Sequence, residues 1–172
     1  MTERPGGTTF QGAPLTLLGK ALEPGQPAPD CALLTNDLKE VRLSDWAGKV
    51  RVVLAVPSLD TPVCDTETRR FNEAVAALGD RVAVLAVSMD LPFAQGRWCA
   101  AADIDRVVTL SDHRDASFAA GYGVLIKELR LLARAVFVLD GEGVVRYVQL
   151  VREVTDEPDY DAAMAAVRDL LD

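Results

Sequence analysis

Apolar residues fill positions 50–56 almost without interruption, stop at Pro57, and return at Phe71, Ala74, Val75 and Leu78 with the three-to-four-residue spacing of a helix face. This pattern predicts a buried strand, a tight turn and an amphipathic helix. The unit recurs: 82–89 is an apolar strand, and Pro92 opens a helix over 92–102 with Asp90 as its expected cap. Residues 107–110 predict a third short strand and 115–120 a short helix. Further on, 135–139 and 144–151 are strand-like runs around the turn sequence D-G-E-G. Glu157-Pro158 starts a last helix with Tyr160, Met164, Val167 and Leu171 on one face. Upstream, prolines at 24, 27 and 29 demand an extended connector, 31–34 and 40–43 predict short strands, and 44–48 a turn. Residues 10–18 read as a β-hairpin, and the polar, glycine-rich residues 1–9 as a frayed, disordered N-terminus.

Strand–helix alternation that closes with a hairpin and a helix predicts an α/β domain, its mixed sheet covered by helices on both faces. At 172 residues and 49% hydrophobic, the chain suffices for one well-buried core, which sets a single domain over 10–172. A net charge of −8 opposes binding to nucleic acid or to an anionic membrane, since both rest on clustered Lys and Arg. The sequence holds no 18-residue apolar span, and M-T-E-R-P-G-G-T-T lacks the apolar core of a signal peptide. The expected compartment is the cytoplasm. There, three cysteines are more often catalytic, metal-binding or inert than a disulfide framework.

Of the three, Cys64 has the most telling position. Pro62 suits the first residue of a helix and disfavours the α region for the residue before it, so Thr61 is the expected N-cap and Cys64 the third helical residue. Unpaired amides and the positive helix end there favour a thiolate. The Thr61 hydroxyl either bonds a first-turn amide or points towards the sulfur. Cys64 also has a plain reading as a buried small apolar residue, as do Cys99 in R-W-C-A-A-A and Cys31 in A-P-D-C-A-L-L. Arg134 introduces the apolar strand A-V-F-V-L, which puts its guanidinium at a strand end near functional loops unless it is a surface arginine. His113, the only histidine, lies in a polar turn that nothing places near Cys64, which removes a Cys–His pair. The absence of C-x-x-C and of a Cys/His cluster argues against zinc and against a thioredoxin-type reductase.

The motif P-S-L-D-T-P-V-C at 57–64 places Pro57, Thr61 and Cys64 in P-x(3)-T-x(2)-C spacing and resembles the active-site motif of peroxiredoxins, in the form found in their thiol peroxidase subfamily. D-L-P-F-A-Q-G-R-W-C at 90–99 resembles that subfamily's resolving-cysteine segment, and A-R-A-V-F-V-L-D at 133–140 its active-site arginine strand. The resemblance implies a thioredoxin-like fold with an N-terminal β-hairpin extension. It implies Cys64 as peroxidatic and Cys99 as resolving cysteine, assisted by Thr61, Arg134 and Pro57, without cofactor or metal. It further implies hydroperoxide as substrate, thioredoxin as reductant and a homodimer. The alternatives are a peroxide-sensing redox relay, in which oxidised Cys64 is the signal, and a thioredoxin-fold binding protein with buried thiols.

Overall fold

In the computed structural model, which describes residues 1–172, the apolar run that stops at Pro57 lies at the centre of the molecule. Along the chain come β1 (Glu3–Phe10), β2 (Ala13–Leu18), β3 (Ala32–Leu34), β4 (Glu40–Arg42), a 3₁₀ turn at Leu43–Trp46, β5 (Val50–Ala55) and α1 (Pro62–Ala76). A second 3₁₀ turn at Gly79–Arg81 leads to β6 (Val82–Ser88), α2 (Pro92–Ala102), β7 (Val107–Ser111), α3 (Ser117–Gly121) and β8 (Leu125–Ile126). The chain closes with β9 (Ala135–Leu139), β10 (Val145–Leu150) and α4 (Tyr160–Leu171).

Seven strands form one mixed sheet in the order β10-β9-β5-β6-β7-β3-β4, while β1, β2 and β8 form a small second sheet. β5, β6 and β7 are parallel, with α1 and α2 as the crossovers that parallel pairing requires, and β9 runs antiparallel to β5. Because β5 is covered on both faces, its side chains alternate between two cores. Val52, Leu54 and Val56 pack with Phe71 and Val75 of α1 and with Met164 and Val167 of α4. Val53 and Ala55 face the opposite core with Phe118, Tyr122 and Phe137. A strand buried on both faces has no polar alternation, which is why 50–56 reads as one apolar run. This is the α/β, thioredoxin-like arrangement of a mixed sheet flanked by helices, extended by an N-terminal β-hairpin.

Three local expectations are corrected. Residues 1–9 do not fray in this structure: β1 starts at Glu3, pairs with β2 from Glu3↔Leu18 to Phe10↔Ala13, and turns at Gln11-Gly12. Polar composition is offset by backbone bonds to a distant segment, Thr9 N–H to the Arg152 carbonyl at 2.8 Å and Val154 N–H to the Thr9 carbonyl at 2.9 Å. Asp90 does not cap α2, whose N-cap is Leu91 without a side-chain bond, because the Asp90 carboxylate is drawn to the loop after β5. The last helix starts at Tyr160 rather than at Pro158, since Asp159 caps it by accepting from the Ala162 amide.

Candidate active site

β5 ends at Ala55, and Pro57 to Asp60 carry the chain from the sheet to α1. Asp90, just past β6, holds this loop: one oxygen accepts from Ser58 Oγ at 2.7 Å, and the other from the Leu59 amide at 2.8 Å and Ser88 Oγ at 2.7 Å. Thr61 is the N-cap of α1 and Pro62 its first residue. The Thr61 hydroxyl accepts from the Cys64 amide at 3.3 Å and donates to the Ser58 carbonyl at 3.0 Å, so of its two possible roles it takes the capping one. Cys64 follows as the third helical residue, its side chain fully buried.

What reaches Cys64 through the core is Arg134, the residue before β9 and itself only 1% exposed. Its Nη1 donates to Cys64 Sγ at 3.2 Å and to Glu67 Oε2 at 2.7 Å, and its Nε donates to the Val154 carbonyl at 2.9 Å. Burial alone would pull the guanidinium down; the adjacent Cys64 sulfur and the Glu67 carboxylate outweigh it and raise Arg134 above its ordinary value. A sulfur and a permanent cation thus face each other where little water intervenes, and charge on the sulfur or on an attached oxygen is felt strongly.

Glu67 completes the group although it belongs to none of the sequence motifs. A signal for it exists: it stands three residues after Cys64 and four before Phe71, which places it on the buried face of α1. Its Oε1 is buried without a hydrogen-bond partner.

A cavity of about 460 Å³ reaches this group at Arg134 and at the Thr61 cap, and is lined also by Phe10, Pro57, Pro62, Val63 and Leu129. Its walls are mostly apolar, and Phe10 and Leu129 are exposed at 40% and 44%. Pro57 is buried and forms part of the wall, as does Arg134.

The other cysteines sit elsewhere. Cys99 is half-buried near the end of α2, and its Sγ lies 3.2 Å from Thr109 Oγ1 on β7. β7 and β9 are separated by β5 and β6, about 14 Å at roughly 4.8 Å per strand spacing, so Cys64 and Cys99 touch groups from different parts of the sheet. Both are free thiols. Cys31 is 3% exposed, and burial, with the charges of Asp112 and Asp30, pushes its thiol up to about 12.

The buried carboxyls give the fold a pH dependence of definite sign. Burial pushes Glu67 up to about 7 from an ordinary 4.5, against the opposing pull of Arg134. Asp112, which accepts from the Phe118 and Ala119 amides, is likewise pushed up by burial from 3.8 to about 6. A carboxyl whose folded pKa exceeds its unfolded value holds its proton more tightly in the fold, so its contribution is present at low pH and lost as pH rises through that window. Backbone amides, that of Thr155 foremost, hold Glu153 down at about 2, so its contribution is lost only on further acidification. We expect the reduced protein to lose stability as pH rises from about 4 to about 7. Glu67→Gln, which still offers Arg134 an acceptor, should flatten the upper part of that profile; urea midpoints measured against pH check it, and an identical slope in the variant would exclude Glu67 as its source.

The family model described as Redoxin matches residues 23–164. A thiol peroxidase of Bacillus subtilis is 55% identical over 163 residues, covering 95% of this chain and 97% of that protein. A thiol peroxidase of Halalkalibacterium halodurans is 56% identical over 160 residues, covering 93% and 96%. Among solved structures, a peroxiredoxin-like protein from Aquifex aeolicus superimposes with a TM-score of 0.89 at 46% identity, covering 95% of this chain and 96% of that one. No helix is long and apolar enough to cross a membrane. A fold, a helix-capped cysteine facing a buried arginine, and end-to-end similarity agree: the chain belongs to the redoxin family, in its peroxiredoxin branch of thiol peroxidases.

Proposed function

We propose that this protein is a thiol-dependent peroxidase that reduces hydrogen peroxide and organic hydroperoxides to water and alcohols. The observation that carries the reading is the Arg134 guanidinium 3.2 Å from the buried Cys64 sulfur at the start of α1. The Cys64 thiolate attacks one oxygen of the O–O bond; the sulfur is oxidised to Cys64–SOH, and the other oxygen leaves with the bonding electrons and takes up a proton as water or alcohol. The forked donors of Arg134 act where charge develops on the leaving oxygen, and the first-turn amides of α1 add their dipoles. Thr61 positions rather than attacks: it fixes the loop and first turn by accepting from the Cys64 amide and donating to the Ser58 carbonyl. Pro57 walls the cavity and limits water at the sulfur, and the cavity's apolar lining suits the alkyl part of an organic hydroperoxide.

Cys99 is the proposed resolving thiol. It attacks the sulfenic sulfur to give a Cys64–Cys99 disulfide and water, and a dithiol protein, thioredoxin by resemblance, reduces the bond by exchange. A cytoplasmic setting, where thiols stay reduced, suits three free cysteines, and a homodimer is the proposed assembly. In a steady-state assay with thioredoxin, the purified protein should consume hydrogen peroxide and a bulky alkyl hydroperoxide over many turnovers. Consumption that stops at one equivalent in the presence of reductant would assign it instead to redox sensing.

The disulfide also requires motion, because Cys99 faces Thr109 while Cys64 faces Arg134. We expect oxidation to speed amide exchange around residues 94–104 and to change Trp98 fluorescence. Equal exchange in both redox states, with the Cys64–Cys99 bond verified by mass spectrometry, would exclude such opening.

A further inference from the structure

α2 is a weak helix by its own sequence. It has Gly96 in its interior and no side chain bonding its N-terminal amides. Contacts with the rest of the fold therefore decide how firmly it is held.

One set of those contacts ties it to α1. Trp98 Nε1 donates to Asp65 Oδ1 at 3.0 Å, Arg69 Nε donates to Asp65 Oδ2 at 2.9 Å, and Arg69 Nη1 reaches the Ala102 carbonyl at 3.1 Å. The network joins the residue after Cys64 to the residue before Cys99 and to the last residue of α2. Ala102 carries one of the carbonyls that a helix end leaves without an internal partner, and a cation there also complements the helix dipole. The Asp65–Arg69 pair lies within α1 with side chains 35% and 45% exposed, so by itself it adds little. Its use is to aim two groups across the helix gap. Consecutive residues diverge by about 100° around a helix, so holding Trp98 against α1 directs Cys99 away from it, towards Thr109.

We propose that Asp65, Arg69 and Trp98 form a clasp that gates disulfide formation, as positioning residues for the resolving step. The inference rests on the reading of Cys99 as the resolving thiol. While the clasp is shut, Cys99 cannot reach the sulfenic sulfur. When it opens and the end of α2 unwinds, Cys64–S–OH and Cys99–SH form the S–S bond, and the thiol proton leaves with the hydroxyl as water. A second hydroperoxide competes for the same sulfenic acid, oxidising it to Cys64–SO₂H and leaving as alcohol or water. The clasp thus sets how long the sulfenic acid persists and how it partitions.

The test uses Trp98→Phe, which keeps an aromatic ring but removes the N–H, and Arg69→Met, which keeps the aliphatic stem but removes the bond to Ala102. Quenched-flow mass spectrometry follows sulfenic acid, disulfide and sulfinic acid after a pulse of hydrogen peroxide. Loss of one such bond shifts the opening equilibrium by about fivefold. The disulfide should therefore form about fivefold faster in each variant, sulfinic acid should fall in proportion, and the second-order consumption of peroxide by Cys64 should stay at the wild-type value. Disulfide formation at or below the wild-type rate in both variants overturns the clasp, and so does a parallel change in the peroxide step. Failure of the wild-type protein to form any Cys64–Cys99 bond would instead overturn the assignment of Cys99. Should Trp98→Phe fold poorly, Arg69→Met carries the test, because its side chain is partly solvent-exposed.

Discussion

Replacing Cys64 with serine is expected to abolish peroxide turnover, while Cys99→Ser should complete about one turnover before donor-dependent cycling stops and Cys31→Ser should change turnover little. The three outcomes follow from three environments. A serine at 64 still fits the first turn of α1 and can accept from Arg134, so the fold should survive, but an alcohol offers no thiolate to attack the O–O bond. A serine at 99 can keep the contact with Thr109 and leaves the first chemical step intact; what is lost is the only proposed route from sulfenic acid to disulfide. At 31 the thiol is buried and held protonated, so its replacement introduces a hydroxyl into an apolar cluster and reduces stability by about 1–2 kcal/mol rather than altering chemistry. Hydroperoxide consumption with thioredoxin, and single-turnover stoichiometry without it, separate the cases. Sustained turnover by Cys64→Ser would show that the nucleophile is elsewhere.

The parts of this site legible in the sequence are those fixed by local rules. Pro62 after Thr61 specifies a helix start whatever surrounds it, and the structure has Thr61 capping and Cys64 third in the helix. The bounds of α2 were legible for the same reason, with Pro92 at one end and the apolar run giving out at the other. What the sequence hid are pairings between distant segments. Glu67 looks like one more charged residue on an amphipathic helix until Arg134, 67 positions later, arrives beside it. Asp90 has the composition and position of a cap, but the amide of Leu59 and the hydroxyl of Ser58 compete for it from the loop that follows the neighbouring strand β5. β1 was hidden because glycine and threonine signal neither burial nor period, and its bonds come from β2 and from residues 152–154. Periodicity reports which face of an element is buried; it does not name the partner.

Arg134→Lys should lower the second-order rate constant with hydroperoxide by about a hundredfold, the scale of losing one donor to a developing oxyanion. Lysine keeps the charge but concentrates it on one nitrogen, which cannot stand at the Nη1 position between Cys64 and Glu67 and also at the Nε position facing the Val154 carbonyl. Alkylation of Cys64 by an electrophile without an O–O bond should fall much less, since that reaction needs a reactive sulfur but no stabilisation of a leaving oxygen. The contrast between the two reagents is therefore the informative measurement. Arg134→Met is the control for structure: it strands Glu67 in the core, and breaking a buried pair in this way destabilises by about 3–5 kcal/mol unless the carboxyl takes up a proton. Stability of that variant should accordingly recover as pH is lowered, whereas its peroxide reactivity should not. If Arg134→Lys reacts with peroxide at the wild-type rate, the guanidinium serves only to pair Glu67 and to tie β9 to Val154, and the stabilisation of the leaving oxygen must come from the backbone amides of α1 alone.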